Sequence, residues 1–152
     1  MPDKKVANFK LPATGDQTIS LADLKGKKVV LYFYPKDATP GCTTEAQQFR
    51  DLYPRFVKAG SVILGVSRDS LKSHENFKAK MGLPFDLLSD ADEALCTQFG
   101  VIKMKNMYGK QVRGIERSTF IIDGKGVLRQ EWRGIKADGH ADVVLARALE
   151  LP

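Results

Sequence analysis

The segment around Cys42 constrains the fold of this chain more than any other feature. A continuous apolar run from Val29 to Tyr34 is typical of a buried strand. A short turn rich in proline and glycine follows it, and apolar residues then recur at helical spacing from Ala46 to Val57. The sequence therefore predicts a buried strand, a tight turn and a helix, with Cys42 at the point where the helix begins.

The predicted start of this helix favours a reactive thiol. Thr39 suits the N-cap, Pro40 suits the first helical position, and Gly41 places no side chain over the sulfur. An alternative register, in which Thr44 and Gln47 have capping-box spacing, also keeps Cys42 at the helix start. The unpaired N–H groups and the positive end of the helix dipole stabilise a thiolate there. An inert buried cysteine normally lies inside an apolar run, which Cys42 does not.

The residues around Cys42 also narrow the chemistry of the thiol. A disulfide exchanger of the Cys-x-x-Cys kind needs a second thiol three residues away, and Thr39 occupies that position. A hydroxyl can hydrogen-bond a thiolate or a peroxide, but it cannot form a disulfide. The substitution favours attack on an oxygen atom over disulfide exchange.

The pattern Pro35-x-x-x-Thr39-x-x-Cys42 is similar to the active-site signature of the peroxiredoxins, and the longer sequence resembles their Q-type branch, the bacterioferritin comigratory proteins. The resemblance extends in order along almost the whole chain. The residues that carry it are Tyr32–Asp37, Thr39–Thr43, Glu45, Gly65–Asp69, Leu88–Asp90, Gly114–Asp123 and Trp132–Arg133.

The resemblance implies a role for each matching residue. Cys42 would be the peroxidatic cysteine, whose thiolate attacks a hydroperoxide and becomes a sulfenic acid. Thr39 would hydrogen-bond in the pocket, Pro35 would shield it, and Arg117 would be the cationic partner. Position alone leaves Arg117 open to interpretation as a solvated charge at a strand end.

Two further groups belong to the expected substrate site. The backbone N–H groups of Gly41 and Cys42 are available as hydrogen-bond donors to the peroxide. Glu45 lies one helical turn beyond Cys42, where it can orient Arg117, although a surface carboxylate is an equally simple interpretation.

The second cysteine departs from the better-known Q-type pattern. The position where many members carry a resolving cysteine is Gln47 here, and the alternative position in the next helix, Phe77–Lys80, has no thiol. Cys96 is the remaining candidate, but its place on an amphipathic helix is typical of a structural cysteine. A disulfide with Cys42 requires the two Cα atoms to lie within about 7 Å. We therefore expect a one-cysteine cycle, with thioredoxin, glutaredoxin or a low-molecular-weight thiol as the reductant.

The order of elements favours a thioredoxin-like α/β fold, with a central mixed sheet flanked by helices, in a single domain that spans residues 1–152. We expect the Lys103 to Val112 segment to be an irregular loop near the pocket. The expected strands are Val29–Tyr34, Val62–Val66 and Phe85–Leu88, and a hairpin is expected from Ser118–Ile122 and Val127–Trp132. The expected helices are Cys42–Ala59 (kinked at Pro54), one capped by Asp69, one around Cys96 (capped by Ser89 or Asp90) and Ala141–Leu149.

Composition excludes several classes of function. The net charge is +6, but the basic residues are interspersed with acidic ones and no series of aromatic residues accompanies them, so nucleic-acid binding is not expected. The densest group of basic residues consists of Lys103, Lys105, Lys110 and Arg113. We interpret it as a solvated face or as a surface that binds an acidic reductant. His74 and His140 lack metal-ligand spacing, and His74 reads as a packing or surface residue. No cofactor or metal is expected.

The remaining expectations concern location and alternatives. No apolar stretch is long enough to span a membrane, and Met1 to Leu11 shows no signal-peptide pattern. Two cysteines without a secretory segment favour the reducing cytoplasm, and no apolar interface helix stands out, so we expect a monomer. A thiol-disulfide oxidoreductase and a noncatalytic thioredoxin-fold interaction module are the alternatives to a hydroperoxide-reducing enzyme.

Overall fold

The computed structural model describes residues 3–152, which form nine strands, four α-helices and one 3-10 helix. The strands are β1 (Lys10–Ala13), β2 (Gln17–Ser20), β3 (Lys28–Phe33), β4 (Ser61–Ser67), β5 (Asp86–Ser89), β6 (Ile102–Met107), β7 (Lys110–Ile115), β8 (Ser118–Ile122) and β9 (Leu128–Arg133). The helices are α1 (Pro40–Lys58), α2 (Leu71–Met81), α3 (Ala94–Gln98) and α4 (His140–Glu150), with the 3-10 helix at Leu21–Leu24.

Seven of the strands form one mixed sheet in the order β2-β1-β5-β4-β3-β8-β9. Strand β3 lies inside it, parallel to β4 and antiparallel to β8, and every residue of β3 is buried. This burial explains the continuous apolar run in the sequence, because a strand covered on both faces has no solvent-facing side that would carry polar residues. The prediction of a thioredoxin-like central mixed sheet with flanking helices is confirmed.

The sheet separates two hydrophobic cores, because successive side chains of a strand point to opposite faces. On the face covered by α1, α2 and α4, which we call the α1 face, Tyr32 packs in one cluster with Cys42 and Phe49. On the opposite face, which we call the α3 face, Phe33 packs in another cluster with Cys96. The two cysteines therefore belong to different cores.

Helix α1 begins where the sequence predicts. Thr39 occupies the N-cap with an extended backbone, Pro40 is the first helical residue, and the Thr43 N–H donates to the Thr39 carbonyl. Pro54 lies inside the helix, which nevertheless continues to Lys58. Ala59 and Gly60 then end it.

One predicted helix cap is wrong, and the other is right for Asp90 in its hydrogen bonds but not in its position. The N-cap of α2 is Ser70 rather than Asp69, because the Ser70 hydroxyl accepts a hydrogen bond from the Ser73 N–H. The Asp69 carboxylate instead accepts a hydrogen bond from the Ser67 hydroxyl. The N-cap position of α3 is Glu93 rather than Ser89 or Asp90. The Asp90 carboxylate still accepts the N–H groups of the first turn of α3, so it caps this helix from outside.

The expected irregular loop between Lys103 and Val112 is also wrong. This segment forms the antiparallel hairpin of β6 and β7, in which Ile102 pairs with Ile115 and Met107 with Lys110. Most of β7 is exposed. A strand pair with little buried surface has no need of the apolar alternation by which strands are recognised in a sequence.

In the part of the chain described, we find no helix that combines the length and the apolar character needed to cross a membrane.

Gly65 allows β4 to pack tightly against its neighbours beneath the α1 face. A Cβ atom at this position would lie 2.7 Å from Leu87 Cδ2 and 2.9 Å from the Tyr32 hydroxyl oxygen. We expect Gly65→Ala to lower the free energy of unfolding by about 1–3 kcal/mol, because both neighbours are buried and must shift. Chemical denaturation measures this change.

Gly114→Ala is the matched control, since its added Cβ would approach Arg68 Nη2 no closer than 3.9 Å. We expect the control to change stability by no more than about 0.5 kcal/mol. Equal stabilities of the two variants would contradict the packing described here.

Candidate active site

Cys42 lies in the first turn of α1, where the sequence predicts it. The residue is buried, with 2% of its surface exposed. The first N–H groups of any α-helix have no partner within the helix, and here they include those of Gly41 and Cys42. The sulfur is therefore close to unpaired backbone donors and to the positive end of the helix dipole.

Arg117 reaches the sulfur from the other side. It lies between β7 and β8, and its Nη2 is 3.4 Å from Cys42 Sγ. Its Nη1 donates to Glu45 Oε1 at 2.6 Å. Since Glu45 follows Cys42 by three residues on α1, the thiol and the carboxylate share one face of the helix and one guanidinium contacts both.

The structure does not support the surface interpretations of Arg117 and Glu45. Only 15% of the Arg117 side chain and none of the Glu45 side chain is exposed. The two side chains thus form a buried pair placed directly against the thiol, and they form an ion pair whenever Glu45 is ionised. Such a pair is a poor source of net stability, because desolvation offsets most of the attraction between the charges.

Gly41 makes the approach of Arg117 possible. A Cβ atom at this position would lie 3.0 Å from Arg117 Nη2 and 3.9 Å from its Cζ. Any side chain here would push the guanidinium away from the sulfur. The glycine therefore serves the contact between Arg117 and Cys42, in addition to leaving the sulfur uncovered.

Burial raises the pKa of Glu45 to about 7, and the adjacent Arg117 guanidinium limits the rise. Burial acts to lower the pKa of Arg117, but the Glu45 carboxylate and the Cys42 sulfur outweigh it and raise the pKa further. The cation is therefore permanent. Glu45 Oε2 is buried and has no hydrogen-bond partner among residues 3–152.

The turn before α1 contains Pro35 and Thr39. Pro35 is half-buried, and the Thr39 hydroxyl donates to the Lys36 carbonyl at 2.8 Å instead of capping the helix. Between them Ala38 adopts a left-handed conformation with φ of 62°. This conformation costs a residue with a Cβ about 1–2 kcal/mol, so other contacts must hold the turn in place.

Those contacts centre on Asp37, which sequence reasoning did not select. The Tyr34 hydroxyl donates to Asp37 Oδ1 at 2.6 Å and the Ser73 hydroxyl donates to Oδ2 at 2.8 Å. His74 Nδ1 lies 2.7 Å from the same Oδ2, and the Asp37 N–H donates to Asp69 Oδ2 at 2.9 Å. His74 is completely buried, which excludes the surface interpretation, and both of its ring nitrogens have hydrogen-bond partners. No local pattern reveals a pair that is 37 residues apart.

Asp37, Asp69 and His74 also bring one potential metal-ligand atom each to within 4.8 Å of one another. The hydrogen bonds just described already occupy these atoms, and the Ser67 hydroxyl donates to Asp69 Oδ2 at 2.6 Å as well. The cluster is satisfied as a hydrogen-bond network.

Two other buried polar groups lie on the α1 face. Burial raises the pKa of Tyr32 well above its usual value, with the charges of Glu45 and Cys42 adding to the effect, so its hydroxyl stays neutral. Burial and the nearby Arg117 lower the pKa of His140 to about 4. His140 is therefore a neutral imidazole near neutral pH, with Nε2 2.9 Å from Thr119 Oγ1.

Cys96 is separated from this site by the sheet. It is fully buried in the core of the α3 face, whereas Cys42 belongs to the core of the α1 face. Burial, reinforced by the adjacent Asp90 carboxylate, raises the pKa of Cys96 strongly and keeps its thiol protonated. Both cysteines are free thiols.

Comparison with known proteins finds relatives that match most of the chain. The model of the AhpC/TSA family matches residues 2–131. Peroxiredoxin Bcp of Xanthomonas campestris is 60% identical over 143 residues, which cover 92% of this chain and 89% of that protein. Peroxiredoxin Bcp of Bacillus subtilis is 50% identical over 137 residues, which cover 90% of this chain and 87% of that protein.

Solved structures give the same result. A structure of the bacterioferritin comigratory protein of Xanthomonas campestris, reported with insights into its alkyl peroxide reduction activity, has a TM-score of 0.88 and 57% sequence identity; the match covers 92% of this chain and 89% of that one. The thioredoxin-like fold and relatives named as peroxiredoxins place the protein in the class of thiol-dependent peroxidases. The chain belongs to the AhpC/TSA family, and within it to the peroxiredoxins of the Bcp, or Q-type, branch.

The raised pKa of Glu45 predicts how the free energy of unfolding depends on pH. The folded protein holds a proton on Glu45 up to about pH 7, whereas the unfolded chain releases it near 4.5, the ordinary pKa of a glutamate side chain. The folded state therefore binds more protons in this window, and the free energy of unfolding falls as the pH rises from about 4.5 to about 7.

We expect the stability of the wild type, measured relative to Glu45→Gln, to decrease across this window by up to about 3 kcal/mol. Urea denaturation of both proteins at a series of pH values measures the difference. A difference that stays constant or grows with pH would contradict the assignment.

Proposed function

We propose that the protein reduces hydrogen peroxide and organic hydroperoxides through Cys42, which becomes a sulfenic acid and is reduced again by an external thiol. The observation that carries the proposal is the contact of Arg117 with the Cys42 sulfur at the N-terminus of α1, with Arg117 held in turn by buried Glu45. The alkyl peroxide reduction studied in the Xanthomonas campestris protein supports organic hydroperoxides as substrates.

The proposed chemistry is a displacement at oxygen. The Cys42 thiolate attacks the terminal oxygen of the hydroperoxide, an S–O bond forms and the O–O bond breaks. The departing oxygen takes a proton and leaves as water or an alcohol. The sulfur is oxidised by two electrons and the peroxide is reduced by the same two.

Ionisation alone cannot explain an efficient reaction. An unperturbed thiol with a pKa near 8.5 is roughly 3% ionised at pH 7, so complete ionisation gains only about thirty-fold. Further acceleration requires that the peroxide be held in line and that the charge on the departing oxygen be stabilised. Arg117 and the N–H groups of Gly41 and Cys42 are the donors we assign to this task.

Thr39 has a more specific role in this scheme. Its hydroxyl proton is committed to the Lys36 carbonyl, so the oxygen offers its lone pairs to the pocket. Hydrogen peroxide and alkyl hydroperoxides each carry an O–H donor. The Thr39 hydroxyl oxygen therefore accepts a hydrogen bond from the O–H group of the bound hydroperoxide, while half-buried Pro35 shields the pocket.

The separation of the two cysteines supports a one-cysteine cycle. A disulfide needs Cα atoms within about 7 Å, whereas Cys42 and Cys96 lie in cores on opposite faces of the sheet. Reduction by thioredoxin, glutaredoxin or a low-molecular-weight thiol avoids this barrier and suits a reducing compartment such as the cytoplasm. Because Cys42 is only 2% exposed, the first turn of α1 has to open for the reductant.

Replacing Arg117 by Met tests the stabilising role of the guanidinium. We expect the rate constant for oxidation by hydrogen peroxide to fall by about a hundredfold or more, beyond the thirty-fold that loss of ionisation explains. Stopped-flow measurement of sulfenic acid formation, corrected for the thiolate fraction of each protein, gives the comparison. Equal corrected rates would remove Arg117 from the transition state.

Mass spectrometry after one equivalent of peroxide tests the cycle. We expect a single added oxygen on Cys42 in the wild type and in Cys96→Ser, and no oxidation in Cys42→Ser. In a separate turnover assay, we expect Cys96→Ser to consume peroxide with at least one of the three thiol donors. Loss of two hydrogens in the wild type, with a peptide linking Cys42 to Cys96, would refute the one-cysteine cycle.

A further inference from the structure

The carboxylate of Asp37 fastens the turn that precedes α1 to the body of the protein. Asp37 is 6% exposed, and its side chain contacts the end of β3 through Tyr34 and the first turn of α2 through Ser73 and His74. Its backbone N–H donates to Asp69, which follows β4. One residue thus connects the turn to three separate elements.

The ring of His74 faces a hydrogen-bond acceptor at each nitrogen. Nδ1 lies 2.7 Å from Asp37 Oδ2, and Nε2 lies 2.9 Å from the Leu88 carbonyl oxygen. A carbonyl oxygen cannot donate, so Nε2 carries a proton. Asp37 accepts hydrogen bonds from Tyr34 and Ser73 as well, which favours its ionised form, so Nδ1 must carry a proton too.

We infer that His74 is a buried imidazolium paired with the Asp37 carboxylate, and that this pair is a positioning device that sets the turn Lys36–Thr39 and, through it, the start of α1. Ala38, next to Asp37, is held in the left-handed conformation, and Thr39 is the N-cap of α1. The position of the pocket therefore depends on a histidine that does not touch the thiol. The inference rests on the proposed function of Cys42.

The role of the Asp37–His74 pair can be tested by comparing two reactions of the Cys42 thiol, oxidation by a hydroperoxide and alkylation by iodoacetamide. Attack on a hydroperoxide needs the donors of the turn and of α1 in place around the O–O bond. Alkylation by iodoacetamide needs only an accessible thiolate. Loosening the turn should therefore slow oxidation while leaving alkylation unchanged or faster, which a general loss of stability does not produce.

The protonation of His74 is tested by nitrogen NMR of the full-length protein at pH about 7.5, where a free imidazole is mostly neutral. The chain has two histidines, and the His140→Gln variant assigns their signals. We expect both ring nitrogens of His74 to carry protons, while the low pKa of His140, about 4, leaves one of its nitrogens bare. A bare nitrogen on His74 would overturn the inference.

The positioning role is tested with His74→Gln and Asp37→Asn. A glutamine amide cannot donate to Asp37 and Leu88 at once, and an asparagine leaves the imidazolium without its anion. Phe77→Leu is the matched control, because Phe77 is a buried residue one turn further along α2 that belongs to the α1-face core. The measured quantity is the ratio of the oxidation rate to the alkylation rate.

We expect this ratio to fall by about tenfold to a hundredfold in both variants of the pair and to stay within about twofold of the wild type in Phe77→Leu. If the wild type reacts with peroxide and the pair variants keep its ratio, the inference is overturned and the proposed function stands. If the wild type does not react with peroxide at all, the proposed function itself fails.

Discussion

The contact between the Arg117 guanidinium and the Cys42 sulfur is the interaction on which the site depends. It requires a cation to be buried beside a thiol, and a buried charge is expensive unless it is paired. Glu45, one helical turn from Cys42, supplies the partner, and Gly41 leaves the space through which the guanidinium reaches the sulfur. Three of the first six residues of α1 thus serve one contact with Arg117.

The central sheet also separates Cys42 from Cys96. Because β3 is buried on both faces, Cys42 and Cys96 lie in separate cores although both are thiols of the same small chain. This separation is the basis of the proposed one-cysteine cycle, in which a thiol from outside reduces the Cys42 sulfenic acid. Under that proposal, the burial of Cys42 requires the first turn of α1 to open for the reducing thiol.

Much of this could be predicted from the sequence, because it depends on local patterns. The strand before Cys42, the start of α1 at Thr39 and Pro40, and the mixed sheet follow from apolar periodicity and turn residues. The hairpin of β6 and β7 could not be predicted, because the apolar alternation of β6 is limited to Ile102 and Met104 and most of β7 is polar and exposed. The pairing of Asp37 with His74 is equally invisible, because it joins residues that only the tertiary structure brings together.

The central claim is that the first turn of α1 and Arg117 hold the Cys42 sulfur as an anion. Raman spectroscopy of the reduced Cys96→Ser variant tests it directly, since Cys42 is then the only thiol in the chain. The account predicts that no S–H stretching band is present near neutral pH. A strong S–H band at neutral pH would contradict it.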